Sequence, residues 1–135
     1  MAPAESRSTL CPMPSDLPDI ASLVRAYFKA FDERNREATE ALLADEFRFT
    51  SSFDDAIDRA AFFERCWPYG DGHKSHSIER LVPDGDTAYV TYLLTRKDGT
   101  ASRNTEYFAA RNGKLTQIDV YFGANYVNGE FVPEG

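Results

Sequence analysis

The chain has 135 residues, 42% of them apolar and 27% charged, with a net charge of −7. That length and balance describe one globular domain long enough to bury a core. The acidic balance, with Lys and Arg scattered along the chain, excludes a nucleic-acid footprint, and no apolar stretch is long enough to span a membrane.

The segment Met1–Pro14 combines Pro3, Pro12 and Pro14 with Ser and Ala and lacks the apolar core of a signal peptide. It reads as a disordered leader, residues 1–15, ahead of a domain at 16–125 and a polar tail at 126–135. Cys11 and Cys66 do not form a disulfide framework, which points to a reducing, cytoplasmic setting.

A first helix is expected from near Asp16, with Pro18 in its first turn and Asp19 near its positive end. Ile20, Leu23, Val24, Tyr27, Phe28 and Phe31 then form one apolar helical stripe. Asn35 caps a second, shorter helix whose buried face is Ala38, Ala41 and Leu42. The alternation Phe47-Arg48-Phe49-Thr50-Ser51 predicts a short strand. Asp58 caps a third helix containing Phe62, Phe63, Cys66 and Trp67, which Pro68 stops.

From His73 onward, turn signals recur at Asp84-Gly85-Asp86, Lys97-Asp98-Gly99 and Arg111-Asn112-Gly113. They divide strand-like runs at about Ser75 to Val82, Thr87 to Arg96, Ser102 to Ala110 and Lys114 to Phe122. Helices followed by a meander predict an α+β fold, with the helices on one face of the sheet.

This order resembles the nuclear-transport-factor-2-like superfamily, and the residues agree. Tyr27-Phe28 sits mid-helix, Ala41 to Phe47 leads into the first strand, and Gly113-Lys114-Leu115 opens the last. The closing Val120-Tyr121-Phe122-Gly123 looks like the signature of the SnoaL-like and ketosteroid-isomerase-like branch. The resemblance spans roughly Asp19 to Asn125. It implies a cone-shaped α+β barrel, three N-terminal helices packed on a curved antiparallel sheet, with a ligand cavity between them and often a homodimer. It also matches Tyr27 to a tyrosine that hydrogen-bonds a developing enolate oxygen. The family's general base falls near Ser51, its protonated aspartate near Thr105, and the acid of the cyclases and epoxide hydrolases at Gly123. None of these three can do that work, so a copy of those sites is not expected.

Candidate chemistry lies on the last two strands, in Arg103, Asn104, Glu106 and Asp119, and its direction depends on the Asn112-Gly113 hairpin. A two-residue loop sets Glu106 against Asp119, an unfavourable like-charge pair. A four-residue loop pairs Asn104 with Asp119 and Phe108 with Leu115, and is preferred. Both put Arg103 on the face of Ile118, Val120 and Phe122, which is expected beneath the helices. A three-residue loop instead turns Asn104 and Glu106 inward. An inward Arg needs an anionic partner; an inward Glu is desolvated and suited to acid–base work.

His73 and His76, three apart on a strand, are expected on opposite faces, with His76 a candidate proton carrier. Phe31, Phe49, Val120 and Phe122 join Phe63 and Trp67 as expected cavity walls. Asp54, Asp55 and Asp58 supply one helix cap and otherwise solvated charge, and Cys66 is a small buried hydrophobe. No zinc pattern, phosphate loop or nucleophile elbow is present, so no metal or cofactor is expected. Two readings stay open. One is a cofactor-free isomerase, cyclase, dehydratase or hydrolase, with Tyr27 polarising an oxygen and Glu106, Asp119 or His76 moving the proton. The other is a non-catalytic ligand-binding or association domain.

Overall fold

A computed structural model describes residues 17–133; the expected leader, and Cys11 within it, lie outside them. Helix α1 (Ile20–Asp32) forms where the apolar stripe predicts, and Ile20, Leu23, Val24, Tyr27, Phe28 and Phe31 are all buried. It begins later than expected. Asp19 is the cap, accepting the Ser22 N–H at 2.8 Å, so Pro18 stands outside the helix. Arg34, at φ 56°, turns the chain, and the Asn35 side chain accepts the Ala38 N–H at 3.0 Å to start α2 (Arg36–Leu42). The buried residue of α2 is Thr39, whereas Ala38 and Leu42 are half-buried and Ala41 is exposed. Thr39 tolerates burial because its hydroxyl donates to the Asn35 carbonyl at 2.9 Å.

Strand β1 (Leu43–Thr50) and the short β2 (Ile57–Asp58) precede α3 (Arg59–Arg65), which Asp58 caps by accepting the Ala61 N–H at 2.9 Å. Trp67 belongs to a 3-10 turn, Trp67–Gly72, with Pro68 at its start. The meander is β3 (His73–Asp84), β4 (Thr87–Arg96), β5 (Ala101–Arg111) and β6 (Lys114–Val127). The expected tail is partly sheet: a turn with Asn128 at φ 52° and Gly129 at φ 80° leads β6 into β7 (Glu130–Val132).

The strand order is β2-β1-β6-β5-β4-β3, with β7 on β6. Every pairing is antiparallel except β1 with β6, which is parallel. The fold is α+β, with α1 lying against β3, β4 and β5. The ring of Phe108 meets Tyr27 at 5.7 Å and Phe28 at 5.8 Å, at the centre of that contact. Among the described residues no helix is long and apolar enough to cross a membrane.

Bulges decide which side chains face inward. Arg111 pairs with Lys114 across a two-residue turn, Asn112 at φ 56° and Gly113 at φ 78°. Ala110 still faces Leu115, but Ala109 faces Gln117, so Thr116 is an extra residue in β6. Leu115 and Ile118 are both fully buried although three positions apart, which a regular strand forbids and the bulge permits. Beyond it, Phe108 pairs with Ile118, Glu106 with Val120 and Asn104 with Phe122. The preferred four-residue loop, which sent Arg103 inward, is therefore corrected. Asn104 and Glu106 face inward, as in the three-residue alternative, but in a different register, set by a two-residue turn plus the bulge, in which Glu106 lies opposite Val120 and Tyr107 opposite Asp119. Ile118 and Val120 are buried as expected; Phe122 is 48% exposed.

A second bulge, at Lys74, lies between the pairs His73 with Arg96 and Ser75 with Thr95. It brings the His73 and His76 rings together, 5.6 Å apart, instead of on opposite faces. A third lies where the pairing steps from Asn104 with Phe122 to Ser102 with Asn125, at Gly123 and Ala124. A Cβ on Gly123 would stand 2.0 Å from the Arg103 carbonyl oxygen. Gly123→Ala is expected to cost about 1–3 kcal/mol as β5 and β6 are forced apart, read as a lowered urea midpoint. An unchanged midpoint would mean that the two strands separate freely there.

Candidate active site

The inner face of the sheet, α1, α3 and the loop Ser51–Asp54 line a half-open cavity of about 630 Å³. Phe28, Phe31, Phe49, Phe62, Leu94 and Val120 make its walls largely apolar. Alternation along the strands delivers Tyr92 and Arg96 from β4 and Asn104 and Glu106 from β5, and the Lys74 bulge delivers His73 and His76 from β3.

Glu106 is 5% exposed. The Tyr92 hydroxyl donates to its Oε2, and Asn104 Nδ2 donates to the Tyr92 oxygen at 3.3 Å. Asn104 is itself held by the Gly123 N–H, which donates to Oδ1 at 3.1 Å. Glu106 Oε1 is buried without a partner. Burial pushes the Glu106 carboxyl up to about 7, against the opposing effects of the Tyr92 hydrogen bond and the charge of His76. Burial, then the charge of Glu106, raises the Tyr27 and Tyr92 phenols well above the ordinary tyrosine value. Both are therefore hydrogen-bond donors at neutral pH.

His76 is bound twice by Asp32, the last residue of α1. Its backbone N–H donates to Oδ2 at 3.0 Å and its Nδ1 stands 2.5 Å from Oδ1. The carboxylate assigns the proton of the neutral ring to Nδ1 and leaves Nε2 with the lone pair. Phe28 and Tyr92 pack on the ring at 4.9 and 5.0 Å. His73 is pushed down to about 4, first by burial and then by the charge of His76.

Asp54 forms the third polar group. It is not solvated as expected: its side chain is 8% exposed and stands 2.6 Å from Arg65 Nη2. Its Oδ2 accepts from Ser51 Oγ and Cys66 Sγ, each at 3.5 Å. Burial, then the Asp54 charge, pushes the Cys66 thiol up to about 12, so it is no nucleophile. Among the described residues no group of three or more His, Cys, Asp or Glu side chains is arranged to hold a metal ion.

Of the residues singled out in the sequence, the cavity brings together Tyr27, Phe31, Phe49, His76, Asn104, Glu106, Val120 and Phe122. Asp119 and Arg103 are elsewhere, because the Thr116 bulge turns them to the outer face. Asp119 accepts from Gln117 Nε2 at 2.9 Å, and Arg103 Nε donates to Glu79 at 2.9 and 3.1 Å. Phe63 and Trp67 stand behind the wall rather than in it. Arg36 lies 4.6 Å over Phe63 and Arg34 lies 4.0 Å over Trp67, stacking that claims both rings. Sequence reasoning missed Tyr92, Asp32, Asp54 and Arg96. Tyr92 had a signal in the inward alternation Ala88, Val90, Tyr92, Leu94, and Asp32 follows Phe28 at helical spacing.

Comparison with known proteins agrees with this architecture. A Kribbella flavida crystal structure superposes with TM-score 0.70 at 16% identity, covering 77% of this chain and 85% of that one. A second Kribbella flavida protein, provisionally described as a ketosteroid isomerase, gives TM-score 0.64 at 22% identity, with 84% and 81% covered. A Sinorhizobium meliloti protein, provisionally described as a polyketide cyclase, gives 0.61 at 20%, with 78% and 96% covered. These likenesses establish the NTF2-like fold. No curated protein matches the chain. The SnoaL-like domain model matches residues 24–118, which takes in α1 from Val24 onward, the wall helix α3 and the strands that carry Tyr92, Asn104 and Glu106, and the chain belongs to the SnoaL-like domain family.

Proposed function

We propose that the protein is a small-molecule enzyme of isomerase, cyclase, dehydratase or hydrolase type, moving protons with its own side chains on a substrate of substantial apolar surface. The observation that carries this reading is Glu106. It is a buried carboxyl pushed up to about 7, one oxygen tied to Tyr92 and the other unpartnered. A group that titrates near neutrality both takes and returns protons efficiently. In this reading Glu106 Oε1 takes a proton from a carbon beside a carbonyl. The C–H electron pair passes into an enolate, whose oxygen accepts a hydrogen bond from Tyr27. His76, with Nδ1 committed to Asp32, carries a lone pair at Nε2 that accepts a hydrogen bond or a proton from a substrate hydroxyl. Return of the Glu106 proton at another carbon is an isomerisation; its transfer from Glu106 to a departing β-hydroxyl, which leaves as water, is a dehydration. Asp119 has no part in it.

A second reading, a ligand-binding or association domain without chemistry, is favoured by Ser51 and Gly123, which stand where related enzymes are expected to carry acids. The proposal extends to a cytoplasmic homodimer. The exposed rings of Tyr89 and Tyr121 on the outer sheet face support the dimer, and light scattering would test it.

The deciding experiment follows hydrogen–deuterium exchange into aromatic ketones in heavy water by NMR. The wild type should accelerate exchange with a rate that rises through about pH 7. Glu106→Gln should slow it by about a hundredfold or more. Ketones that bind but exchange no faster than in buffer would decide for the second reading.

A further inference from the structure

Arg34, Arg36, Arg65 and Arg103 each stand on a carboxylate. Arg96 differs. It lines the cavity, half-buried, and its guanidinium holds neutral oxygens: Ser102 Oγ at 3.0 Å, Asn125 Oδ1 at 3.2 Å and Thr100 Oγ1 at 3.3 Å. Among the described residues it has no ion-pair partner. A half-desolvated cation without a counter-charge favours an incoming anion. Three side chains drawn from β5, β6 and the β4–β5 turn fix the planar fork, so little side-chain entropy is lost when a carboxylate docks on it.

The other ion pairs at the cavity are already made. Arg65 pairs with Asp54, and Asp32 serves His76. That leaves Arg96 as the cavity-lining cation that an anionic ligand meets uncompensated. Its place relative to Glu106 is set by the ladder. Leu94 pairs with Ser102 and Val90 with Glu106, so Glu106 lies roughly 13 Å along β5 from the Arg96 end, at ~3.3 Å per residue. Apolar walls of Leu94, Phe31 and Phe28 line the same cavity.

We infer that Arg96 anchors a substrate carboxylate, so that the cavity takes an elongated aromatic carboxylic acid with its acid group on Arg96 and its reacting carbon at Glu106. This rests on the acid–base reading above and names its substrate class. The anionic group adds charge-assisted hydrogen bonds that a neutral analogue lacks.

The test compares naphthoate with naphthylmethanol by calorimetry on the full chain near pH 6, below the Glu106 value of about 7, where its charge does not repel the ligand. The wild type should prefer naphthoate by roughly tenfold or more. Arg96→Gln should erase that preference by weakening naphthoate at least several times more than naphthylmethanol, and Arg96→Lys should restore much of it. A neutral compound that binds without any preference for the acid overturns the role of Arg96 and leaves the cavity reading intact. A preference that survives Arg96→Gln also overturns it. Binding of neither compound, nor of the aromatic ketones, removes the cavity reading and this inference together.

Discussion

Glu106→Gln should make the protein more stable at pH 8 by as much as about 3 kcal/mol, while removing the group on which the proposed chemistry depends. An exposed glutamate in the unfolded chain titrates at its ordinary 4.5, and in the native state burial holds Glu106 at about 7. Between those values the native protein keeps a proton that the unfolded chain has lost. The Glu106 contribution to stability is therefore greatest below pH 4.5 and is lost as pH rises through 7. A gap of about 2.5 units at about 1.36 kcal/mol each gives that figure. His73 works in the other direction. Its native value of about 4 lies below the ordinary 6.5, so stability is lost as pH falls through that window. The two slopes oppose each other between pH 4.5 and 6.5, which flattens the wild-type profile and makes the difference between variant and wild type the informative quantity. Urea unfolding of both proteins at pH 5 and pH 8 measures it. A difference that does not change with pH would mean that Glu106 is ionised in the native state throughout, and would remove the main support for its catalytic role.

How much of this was legible in the sequence differs sharply between helices and sheet. Helix α1 was readable because six apolar residues repeat at helical spacing, and the capping roles of Asn35 and Asp58 were readable because both precede helical segments and carry short acceptor side chains. The meander strands β3 to β5 were placed to within two residues, since Gly and Asn at the turns punctuate them. By contrast, β1 starts four residues earlier than expected, β6 runs five residues further, and β2 and β7 were not foreseen. What those signals do not carry is the side of the sheet each residue faces. A bulge adds one residue without changing composition, and each one inverts everything beyond it. The trace it leaves is apolar or paired residues three apart in a strand. Leu115 with Ile118 and Ile78 with Leu81 both show that spacing, and the structure has irregular pairing inside each interval. Reading Ile118, Val120 and Phe122 without Leu115 concealed it. The same omission sent His73 away from His76 and Arg103 into the cavity. Tyr92 and Asp32 were hidden for a different reason: each acts through a partner far away in sequence, Glu106 for one and His76 for the other.

Phe108→Ala and Tyr107→Ala, adjacent in sequence, should differ in stability by several kcal/mol, and the contrast reports the register directly. With Thr116 bulged out of β6, Phe108 faces inward opposite Ile118 and is fully buried against Tyr27 and Phe28. Truncating it removes the ring from a packed site and leaves a cavity, at a cost of about 3–5 kcal/mol, a large fraction of the stability of a domain this size. Tyr107 faces outward, stacked on Tyr89 with ring centres 5.2 Å apart, and its truncation should cost only about 1 kcal/mol. Had the four-residue loop formed, Arg103, Thr105 and Tyr107 would share the face of Ile118, and the order of the two costs would reverse. Chemical denaturation of both variants therefore tests the same geometry that brings Asn104 and Glu106 into the cavity. Because Phe108 and Glu106 stand two apart on one strand, the position of the ring and that of the carboxylate cannot be separated: a large cost at Tyr107 and a small one at Phe108 would put Glu106 in solvent and Arg103 in its place.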